Sequence, residues 1–550
     1  MMYKLNLTQS LVPTQTDDVV YEITVGGLLR KTATAHGHKT GLVEVGMTGE
    51  IGRSYTYDQL LTQSETLALA LSSRYAPGER ICIWAPNIPE WLLMEYACSL
   101  AGLTLVTANP SFQEKELRYV LAQSGAVALF HINEYRGNPM AEIADRATAD
   151  RATAGSGTIR EVVDMEDEAA MWRHGDRSPE LPIVHPGDPA QIQYTSGTTG
   201  FPKGAVLTHR GLVNNARYYA GRLQTTDETV WANIMPMFHT SGCGMVSLGC
   251  LQAGCKMLLF KLFDPDIVLD LTEHEKVTTI LGVPTMMVGL VEAQATRPRD
   301  VSSLTMLSSG GSMVAPELVR NLCDTFNCAF GTLYGQTEAS PVITQHHPTD
   351  TLDDICHTIG QPVPQTAVSI RSVGANEVVP LDTVGEICAK GPCNMIEYNA
   401  NPAATASTLD TEGWLHTGDL GAMDARGYVR ITGRVKEMII RGGENLFPAE
   451  IENVLLDHPL VVEVAVVGLP DPKWGEIVAC FFRAVENQAG GTQAGGTQVV
   501  ETEELHRHCR KHLSPIKTPV VWRQVEAFPL TGSGKIQKFA LRESYLAENK

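Results

Sequence analysis

The chain lacks a surplus of positive charge, and it is poor in aromatic residues. Its 43 lysines and arginines are outnumbered by 62 aspartates and glutamates, so the formal net charge is −19. This balance argues against a protein that wraps nucleic acid or that charge holds on an anionic membrane. Aromatic residues are only 6% of the sequence, but hydrophobic residues reach 43% and charged residues 19%. Such a composition is ordinary for globular proteins and excludes wholesale disorder and fibrous folds.

The sequence also has little that indicates a disulfide framework or a membrane span. Its 12 cysteines include no CxxC pair, and their recurring CxxxxC spacing has no accompanying set of histidine or acidic ligands. We therefore expect reduced thiols and a cytoplasmic protein whose amino-terminal segment is not a secretory signal. The most apolar stretch, residues 238–260, is interrupted by His239, Gln252 and Lys256, so it predicts a buried helix and no stable membrane insertion.

A length of 550 residues predicts at least two packed units. Residues 81–84 are predicted to form a strand, residues 89–102 an amphipathic helix and residues 103–107 the next strand. This βαβ pattern predicts an α/β fold with a parallel sheet and helices on both faces. Short strands and turns in residues 362–391 predict a smaller β-rich subdomain, and a new unit is expected after Gly433.

The strongest chemical signal is YTSGTTGFPKGAVLTHR, residues 194–210, which follows a strand-like segment and precedes a helical one. Glycines allow backbone N–H groups to close around an anion, hydroxyl groups donate to phosphate oxygens, and a lysine adds positive charge. The Walker pattern GxxxxGK[ST] is absent. We predict a phosphate-binding loop whose binding residues are Thr195, Ser196, Gly197, Thr198, Thr199, Gly200 and Lys203.

This loop resembles the phosphate loop of the adenylate-forming superfamily, which includes acyl-CoA synthetases, luciferases and adenylation domains. Six further motifs occur in the order typical of that family: PMFHTSG, LSSGGS, YGQTEAS, GWLHTGDL, GRVKEMIIRGGENLFPAEIE and LTGSGKIQK. The resemblance therefore covers almost the whole chain. It implies a large amino-terminal domain of α/β sheets with the β-rich subdomain (residues 1–433), a hinge (434–437) and a small mobile α+β carboxy-terminal lid (438–550).

The resemblance implies an ATP- and Mg²⁺-dependent ligase that joins a carboxylic acid to coenzyme A through an acyl-adenylate. The apolar segments around residues 235–251 and 281–289, together with ANPSFQ at residues 108–113, resemble fatty-acyl-CoA synthetases more than acetyl-specific ones. This resemblance implies a medium- or long-chain fatty acid as the first choice and an aryl acid as the second. Transfer of the acyl group to an amine or a carrier protein would leave the ATP motifs unchanged, and a non-catalytic nucleotide-binding protein is a further alternative. A homodimer is compatible with the sequence.

In YGQTEAS, an aromatic ring, a turn glycine, a hydroxyl and a carboxylate together suit a nucleotide site. By resemblance, Tyr334 stacks on adenine beside Gly335 and Gln336, Thr337 contacts the α-phosphate and Glu338 holds Mg²⁺ together with Thr198. Asp419 and Arg434 resemble the ribose ligands, and Gly311 and Ser312 form a turn beside the acyl chain and adenine.

The transition state of adenylation joins two anions and therefore needs a cation, which the resemblance assigns to Lys535. His239 corresponds to a residue at the acyl pocket. Lys436 corresponds to the hinge, and Gly442 and Gly443 to the lining of the thiol tunnel. One position departs from the family pattern, because the segment MIEY has Glu397 where a glycine is usual. This substitution leaves open the local backbone near the active-site face and the identity of the acceptor or the acid, and it does not affect the ATP ligands.

Overall fold

A computed structural model describes residues 3–149, 159–195, 202–485, 501–529 and 536–548. The chain divides into two compact units. The first consists of Met1–Ser369, Cys388–Thr417 and Met423–Arg430, and the second of Ile370–Ile387, Gly418–Ala422 and Ile431–Lys550.

Helices are distributed over both units. Among the described residues, the α-helices are α1 (Val25–His36), α2 (Tyr57–Arg74), α3 (Pro89–Leu100), α4 (Glu114–Ser124), α5 (Met140–Thr148), α6 (Glu168–Met171), α7 (His209–Arg222), α8 (Leu248–Ala253), α9 (Pro265–Glu275), α10 (Pro284–Thr296), α11 (Pro316–Phe326), α12 (Leu352–His357), α13 (Pro402–Thr408), α14 (Pro448–Leu456), α15 (Thr502–His512) and α16 (Lys538–Glu548). A π-helix spans Ser241–Ser247, and 3₁₀ turns span Thr337–Ala339 and Val435–Glu437.

The strands of the same residues are β1 (Leu11–Val12), β2 (Thr40–Val45), β3 (Ile51–Thr56), β4 (Arg80–Trp84), β5 (Thr104–Ala108), β6 (Ala128–His131), β7 (Glu161–Asp164), β8 (Pro189–Thr195), β9 (Lys203–Thr208), β10 (Val230–Asn233), β11 (Lys256–Phe260), β12 (Thr279–Gly282), β13 (Met306–Ser309), β14 (Ala329–Gly335), β15 (Val342–Gln345), β16 (Gln361–Pro362), β17 (Ala367–Arg371), β18 (Gly385–Lys390), β19 (Glu397–Tyr398), β20 (Leu415–Met423), β21 (Val429–Arg434), β22 (Ile439–Arg441), β23 (Glu444–Leu446), β24 (Val461–Asp471), β25 (Gly475–Ala484) and β26 (Val521–Gln524).

The predicted βαβ unit forms the centre of a seven-stranded sheet with the order β19-β9-β8-β5-β4-β6-β7. Strands β4 to β8 pair in parallel, and β9 turns back antiparallel to β8. Helix α3 begins at Pro89, where a missing N–H costs nothing, and its Trp91 is fully buried. The α/β fold class expected from the sequence is thereby confirmed.

A nine-stranded sheet in the same unit has the order β16-β15-β14-β13-β12-β10-β11-β2-β3. Its central strands β10 to β14 are parallel. The carboxyl ends of parallel strands meet at one edge of a sheet, where ligands of open α/β folds usually bind. The segments that carry His239, Gly311 and Gln336 follow β10, β13 and β14 and so leave from this edge.

The region 362–391, predicted to be β-rich, contains β17 and β18. A five-stranded sheet has the order β1-β17-β18-β20-β21. Short strands joined by turns are the local structure expected there.

The carboxy-terminal part of the second unit is built on the long hairpin β24–β25, which belongs to a sheet that also contains β22, β23 and β26. Alternate residues of β24 face two separate apolar clusters. Val466 packs in one cluster with Leu455 of α14, and Val467 packs in the other with Leu541 of α16. The near-continuous apolar run that predicted this strand reflects its burial on both faces.

The apolar stretch 238–260 forms more than the single helix expected from it. It holds the π-helix, α8 and then strand β11, all largely buried. Among the described residues, no helix combines the length and apolarity that a membrane crossing requires.

A buried carboxyl group lies behind the strand that leads to the phosphate loop. Glu95 of α3 is 3% exposed, and its Oε1 accepts a 2.7 Å hydrogen bond from Nε2 of Gln191 in β8. Within the described residues its Oε2 has no hydrogen-bond partner. Gln191 Oε1 in turn accepts from Gln193 Nε2, which also lies 3.1 Å from the sulfur of Cys243 in the π-helix. The network thus joins α3, β8 and the π-helix.

Burial raises the pKa of Glu95 to about 8, although the amide of Gln191 opposes the shift. Its titratable neighbours Tyr96, Cys98 and Cys243 have raised pKa values because they too are buried, so they stay neutral. A carboxyl group whose pKa is higher in the folded state than its ordinary value of about 4.3 binds a proton more readily when folded. Folding stability is therefore lost as pH rises through this window.

We predict that Glu95→Gln removes this pH dependence. Relative to wild type, the variant should gain stability between about pH 5 and pH 8, by up to about 1.4 kcal/mol per pH unit, because it has no proton to lose. Thermal unfolding of both proteins at several pH values measures the difference. Parallel curves for the two proteins across that range would contradict a neutral, buried Glu95.

Candidate active site

The two ends of the phosphate loop lie side by side in the β8–β9 hairpin. Thr195 ends β8, Lys203 begins β9, and the two residues are direct cross-strand partners. The hydroxyl of Thr195 donates to the carbonyl oxygen of Lys203 at 3.4 Å. The other predicted loop residues, Ser196, Gly197, Thr198, Thr199 and Gly200, lie outside the described residues. The hairpin therefore fixes where the loop begins and ends.

Tyr398 links the phosphate loop to the predicted metal ligand. Its ring lies under the Lys203 ammonium, with Nζ 4.7 Å from the ring centroid, and its hydroxyl donates a short hydrogen bond to Oε1 of Glu338. Burial and the neighbouring Glu338 carboxylate raise the pKa of Tyr398 well above its ordinary value, so the hydroxyl remains a donor. One aromatic side chain thus orients a cation and an anion at the same site.

Strand β19 explains why a glutamate is accommodated in the MIEY segment. Glu397 pairs with Val206 and Tyr398 with Ala205 of β9. Because successive strand residues point to opposite faces, Glu397 is exposed while Tyr398 is buried. The backbone at Glu397 thus pairs regularly in this strand, and the Glu397 side chain is exposed.

Buried amide and hydroxyl groups hold the YGQTEAS segment in place. Asn215 of α7 donates to the carbonyl oxygens of Ala339 and Val342 and accepts from the Val342 N–H. The hydroxyl of Ser340 donates to the carbonyl oxygen of Cys393 at 2.7 Å. Gly335 is required by close packing, because a Cβ there would lie 1.9 Å from the Pro341 carbonyl oxygen. These contacts position Thr337 and Glu338, both 7% exposed, at the end of β14.

The residues on either side of Gly335, Tyr334 and Gln336, are also predicted to contact the nucleotide. Tyr334 is the penultimate residue of β14 and is 7% exposed, and Gln336 follows the strand with extended backbone. Gln336 N–H donates to the Pro341 carbonyl oxygen at 2.9 Å, which folds the segment back on itself.

The glycine turn after β13 is open to solvent on one side. Gly310 packs on β14, where a Cβ would lie 2.6 Å from the Leu333 carbonyl oxygen. Gly311 has φ +80°, a left-handed conformation that favours glycine, and both it and Ser312 are exposed. The turn therefore presents backbone at the edge where β13 and β14 end.

His239 is exposed at the same edge, and its surroundings are well organised. Its Nδ1 lies 3.0 Å from the Ser241 hydroxyl and accepts from the Ser241 N–H. Asn87, which follows β4, donates to the Met235 carbonyl oxygen and accepts from the Met237 N–H. Since Met235 and Met237 follow β10, Asn87 ties the two sheets of this unit together just before His239.

Within the second unit, the predicted ribose ligands form an ion pair. Arg434 Nε lies 3.0 Å from Asp419 Oδ1, and the Asp419 side chain is 12% exposed against 49% for Arg434. Lys436 is exposed in the 3₁₀ turn that begins one residue after Arg434. Lys535 lies outside the described residues.

The Gly442–Gly443 turn is built around Trp474. Gly442 has φ +61° and Gly443 φ +86°, and a Cβ at Gly442 would lie 2.9 Å from the indole ring. Gly442 N–H donates to the Trp474 carbonyl oxygen at 2.7 Å. Lys473 Nζ lies 5.1 Å and Arg441 Cζ 5.9 Å from the ring, which is 41% exposed. The turn thus lies beside an exposed ring with two cations.

Sequence reasoning missed three residues of this arrangement. Tyr398 lies in the MIEY segment that the sequence singled out, but only the pairing of β19 with β9 brings it to Lys203 and Glu338. Asn87 and Asn215 have no local signal beyond being polar residues beside apolar patterns. Their roles depend on backbone groups that are distant in the chain.

Comparisons with known proteins agree with this geometry. Residues 29–399 match the AMP-binding enzyme family, and residues 450–535 match the AMP-binding enzyme C-terminal domain. A feruloyl-CoA synthase of an Amycolatopsis species is 36% identical over 90% of this chain and 94% of its own length. The human mitochondrial medium-chain acyl-CoA ligase ACSF2 is 32% identical over 94% of this chain and 87% of its own length.

A solved structure, the Mycobacterium tuberculosis fatty acyl CoA synthetase, superposes with a TM-score of 0.73 at 28% identity and covers 96% of this chain and 99% of its own. The family matches span both the phosphate-loop region and the carboxy-terminal unit. The chain therefore belongs to the AMP-binding enzyme family of the adenylate-forming superfamily, as one of its AMP-forming acid–CoA ligases that use ATP, Mg²⁺ and coenzyme A.

Proposed function

We propose that this ligase activates a medium- or long-chain fatty acid. In the first step a carboxylate oxygen attacks the α-phosphorus of ATP, and pyrophosphate leaves with the bonding electron pair. In the second step the thiol of coenzyme A loses its proton to solvent and its sulfur attacks the acyl carbonyl carbon. The bond between that carbon and the phosphate oxygen breaks, and AMP leaves with the electron pair. The observation that supports this use of the site most directly is the linkage of Lys203, Tyr398 and Glu338 beside the phosphate-loop hairpin.

The donor groups at the end of β14 suit magnesium. The Glu338 carboxylate is an oxygen ligand of the kind that Mg²⁺ prefers, and we assign the Thr337 hydroxyl to the α-phosphate. When bound, Mg²⁺ would neutralise charge on the phosphate oxygens. Tyr398 uses one lone pair of Glu338 and orients the carboxylate, while Lys203 adds a cation for the phosphates. We assign Tyr334, Gly335 and Gln336 to the adenine and Thr198 to the metal.

The second unit would supply the ribose and thiol contacts. The carboxylate of Asp419, oriented by Arg434, can accept hydrogen bonds from two vicinal hydroxyls. We assign Lys535 as the cation of the adenylation transition state. The Gly442–Gly443 turn would admit the thiol arm of coenzyme A, and Lys473 and Arg441 around Trp474 suit its phosphates.

Apolar side chains near the exposed glycine turn support an alkyl substrate. Met313 is 55% exposed two residues after Gly311. A Cβ at Gly311 would contact the side chain of Val283 at 3.7 Å. The names of the human medium-chain ligase and the mycobacterial fatty acyl CoA synthetase point in the same direction. The name of the feruloyl-CoA synthase favours an aryl acid as the second candidate.

We place the enzyme in the cytoplasm, where its 12 free cysteines, most of them buried, would remain reduced. A homodimer is compatible with this assignment, and sedimentation of the purified protein would measure it. The domain boundaries that we propose are residues 1–433, a hinge at 434–437 and a lid at 438–550.

A panel of acids tests the substrate assignment. Octanoate should be used at least about 100-fold more efficiently than acetate, because each buried methylene contributes up to about 0.8 kcal/mol. Pyrophosphate exchange and coenzyme A consumption, each measured as kcat/KM, report the two half-reactions. A preference for ferulate over octanoate would contradict the fatty-acid assignment and make an aryl acid the proposed substrate.

Tyr398→Phe tests the link between the ring and the carboxylate. It should lower the adenylation rate by about 10-fold and raise the Mg²⁺ concentration needed for half-maximal rate, because loss of one hydrogen bond to a charged group costs about 1.5–3 kcal/mol. Mg²⁺ titrations of pyrophosphate exchange measure both quantities. Glu397→Gln, a change at the exposed neighbour, should give the wild-type titration. Identical Mg²⁺ titration curves for wild type and Tyr398→Phe would show that Tyr398 does not contribute to the metal site.

Lys436→Pro tests the hinge. Proline fixes φ near −65°, which a 3₁₀ turn tolerates but a large backbone rotation does not. The variant should therefore keep pyrophosphate release in a single turnover and lose most acyl-CoA formation. Lys436→Ala, which removes the side chain and leaves φ free, should retain far more acyl-CoA formation than the proline variant. Equal loss of both half-reactions in Lys436→Pro would argue against a hinge at this position.

A further inference from the structure

A partly buried ion cluster lies in the second unit at the start of α16. Lys538 Nζ is 2.7 Å from Glu437 Oε2 and 2.8 Å from Glu452 Oε1. Glu452 Oε1 also accepts a 2.7 Å hydrogen bond from the Val466 N–H of β24. The three charged side chains are 21%, 31% and 14% exposed for Lys538, Glu437 and Glu452, so water screens them only in part.

The charges in this cluster depend on one another. Burial disfavours the charged form of Lys538, but the Glu452 and Glu437 carboxylates offset it and raise its pKa above the ordinary value. Burial raises the pKa of Glu452, and Lys538 opposes that shift. A single ammonium therefore contacts two carboxylates and opposes the effect of burial on Glu452. Lys538 is thus no simple surface charge.

Each partner of Lys538 belongs to a different element. Glu437 ends the 3₁₀ turn Val435–Glu437, which contains Lys436, and Glu452 lies in α14. The two residues before Lys538 are also held in place. Gln537 N–H donates to the Pro529 carbonyl oxygen at 2.8 Å. Ile536 packs with the apolar cluster of Phe528 and Leu541. Lys538 thereby connects residues 536–538 to the 3₁₀ turn Val435–Glu437.

We propose that Lys538 is a positioning residue for adenylation, which fixes the chain carrying Lys535 to the turn that contains Lys436. The inference rests on the proposed roles of Lys535 and Lys436. Lys535 lies three residues before Lys538 in the sequence, and three residues of chain span at most about 10 Å. A cation that must meet a transition state loses on the order of 100-fold in rate when it is misplaced by about 1 Å. The ion pair of Lys538 with Glu437 therefore couples the chain that follows Lys535 to the turn.

Lys538→Met tests the proposal because it removes the charge and keeps an unbranched side chain. The adenylation kcat in pyrophosphate exchange should fall by about 100-fold, with KM for ATP changed by less than about threefold. Acyl-CoA formation from supplied acyl-adenylate should stay within about threefold of wild type, because this step does not use Lys535. Octanoate or ferulate, whichever the acid panel ranks higher, and its adenylate are the probes. Lys538→Arg should restore most of the adenylation rate.

Glu437→Gln breaks only the ion pair between Lys538 and the 3₁₀ turn, and it leaves the ion pair between Lys538 and Glu452. It should lower adenylation by about 10-fold, and the double variant with Lys538→Met should be no slower than Lys538→Met alone, because both changes remove the same link. Glu463→Gln is the matched control. It breaks an ion pair of similar exposure with Arg483 on the β24–β25 hairpin and should leave both half-reactions unchanged.

The outcomes separate this inference from the function on which it rests. If Lys535→Ala adenylates at the wild-type rate, the proposed role of Lys535 is wrong. If Lys535→Ala is inactive in adenylation while Lys538→Met and Glu437→Gln are normal, only the positioning role is overturned. Equal loss of both half-reactions in Glu437→Gln would show a merely structural cluster. If thermal unfolding shows that Lys538→Met does not fold, the adenylation rate of Glu437→Gln by itself tests the positioning role.

Discussion

The edge that carries the candidate active site depends on buried amide side chains that form hydrogen bonds with the backbone groups of its loops. Several strands end at this edge, and the chain leaves them as irregular segments whose N–H and carbonyl groups are no longer paired in a sheet. Unpaired buried backbone groups are costly, so they need partners. Asn87 supplies them for the segment before His239, and Asn215 supplies them for the segment that carries Thr337 and Glu338. The geometry of the site follows from these contacts.

The charged side chains at this edge also depend on a small number of contacts. Glu338 is buried, and a buried carboxylate must be hydrogen-bonded or paired. The Tyr398 hydroxyl provides the hydrogen bond, and its ring face attracts Lys203. Since both contacts use one rigid side chain, the cation and the anion keep a fixed relation before any substrate arrives. Such preorganisation is what electrostatic catalysis requires.

In the proposed function, the second unit serves an acid–nucleotide step and then a thiol step. Its β24–β25 hairpin is buried on both faces and forms one packed body with α14 and α16. The Glu437–Lys538–Glu452 cluster connects that body to the turn after Arg434. A rotation that occurs in the turn would then carry the attached elements as one piece. Ion pairs suit this purpose because they fix geometry even where their net contribution to stability is small.

The sequence by itself determined the α/β class, the motif order and the kind of chemistry, since phosphate loops, βαβ units and turn glycines depend on local residue types. It predicted the strand and helix of residues 81–102 almost to their ends, and it singled out Asp419 with Arg434, which the fold brings to 3.0 Å. Only the tertiary structure decided the contacts of Tyr398, Asn215 and Lys538. Tyr398 reaches Glu338 from 60 residues away, and Lys538 reaches Glu437 from 101 residues away. Contacts of such separation depend on how sheets pair and helices pack, which local patterns do not record. A lysine that the sequence shows as an ordinary charge therefore becomes, in the fold, the centre of a partly buried ion cluster.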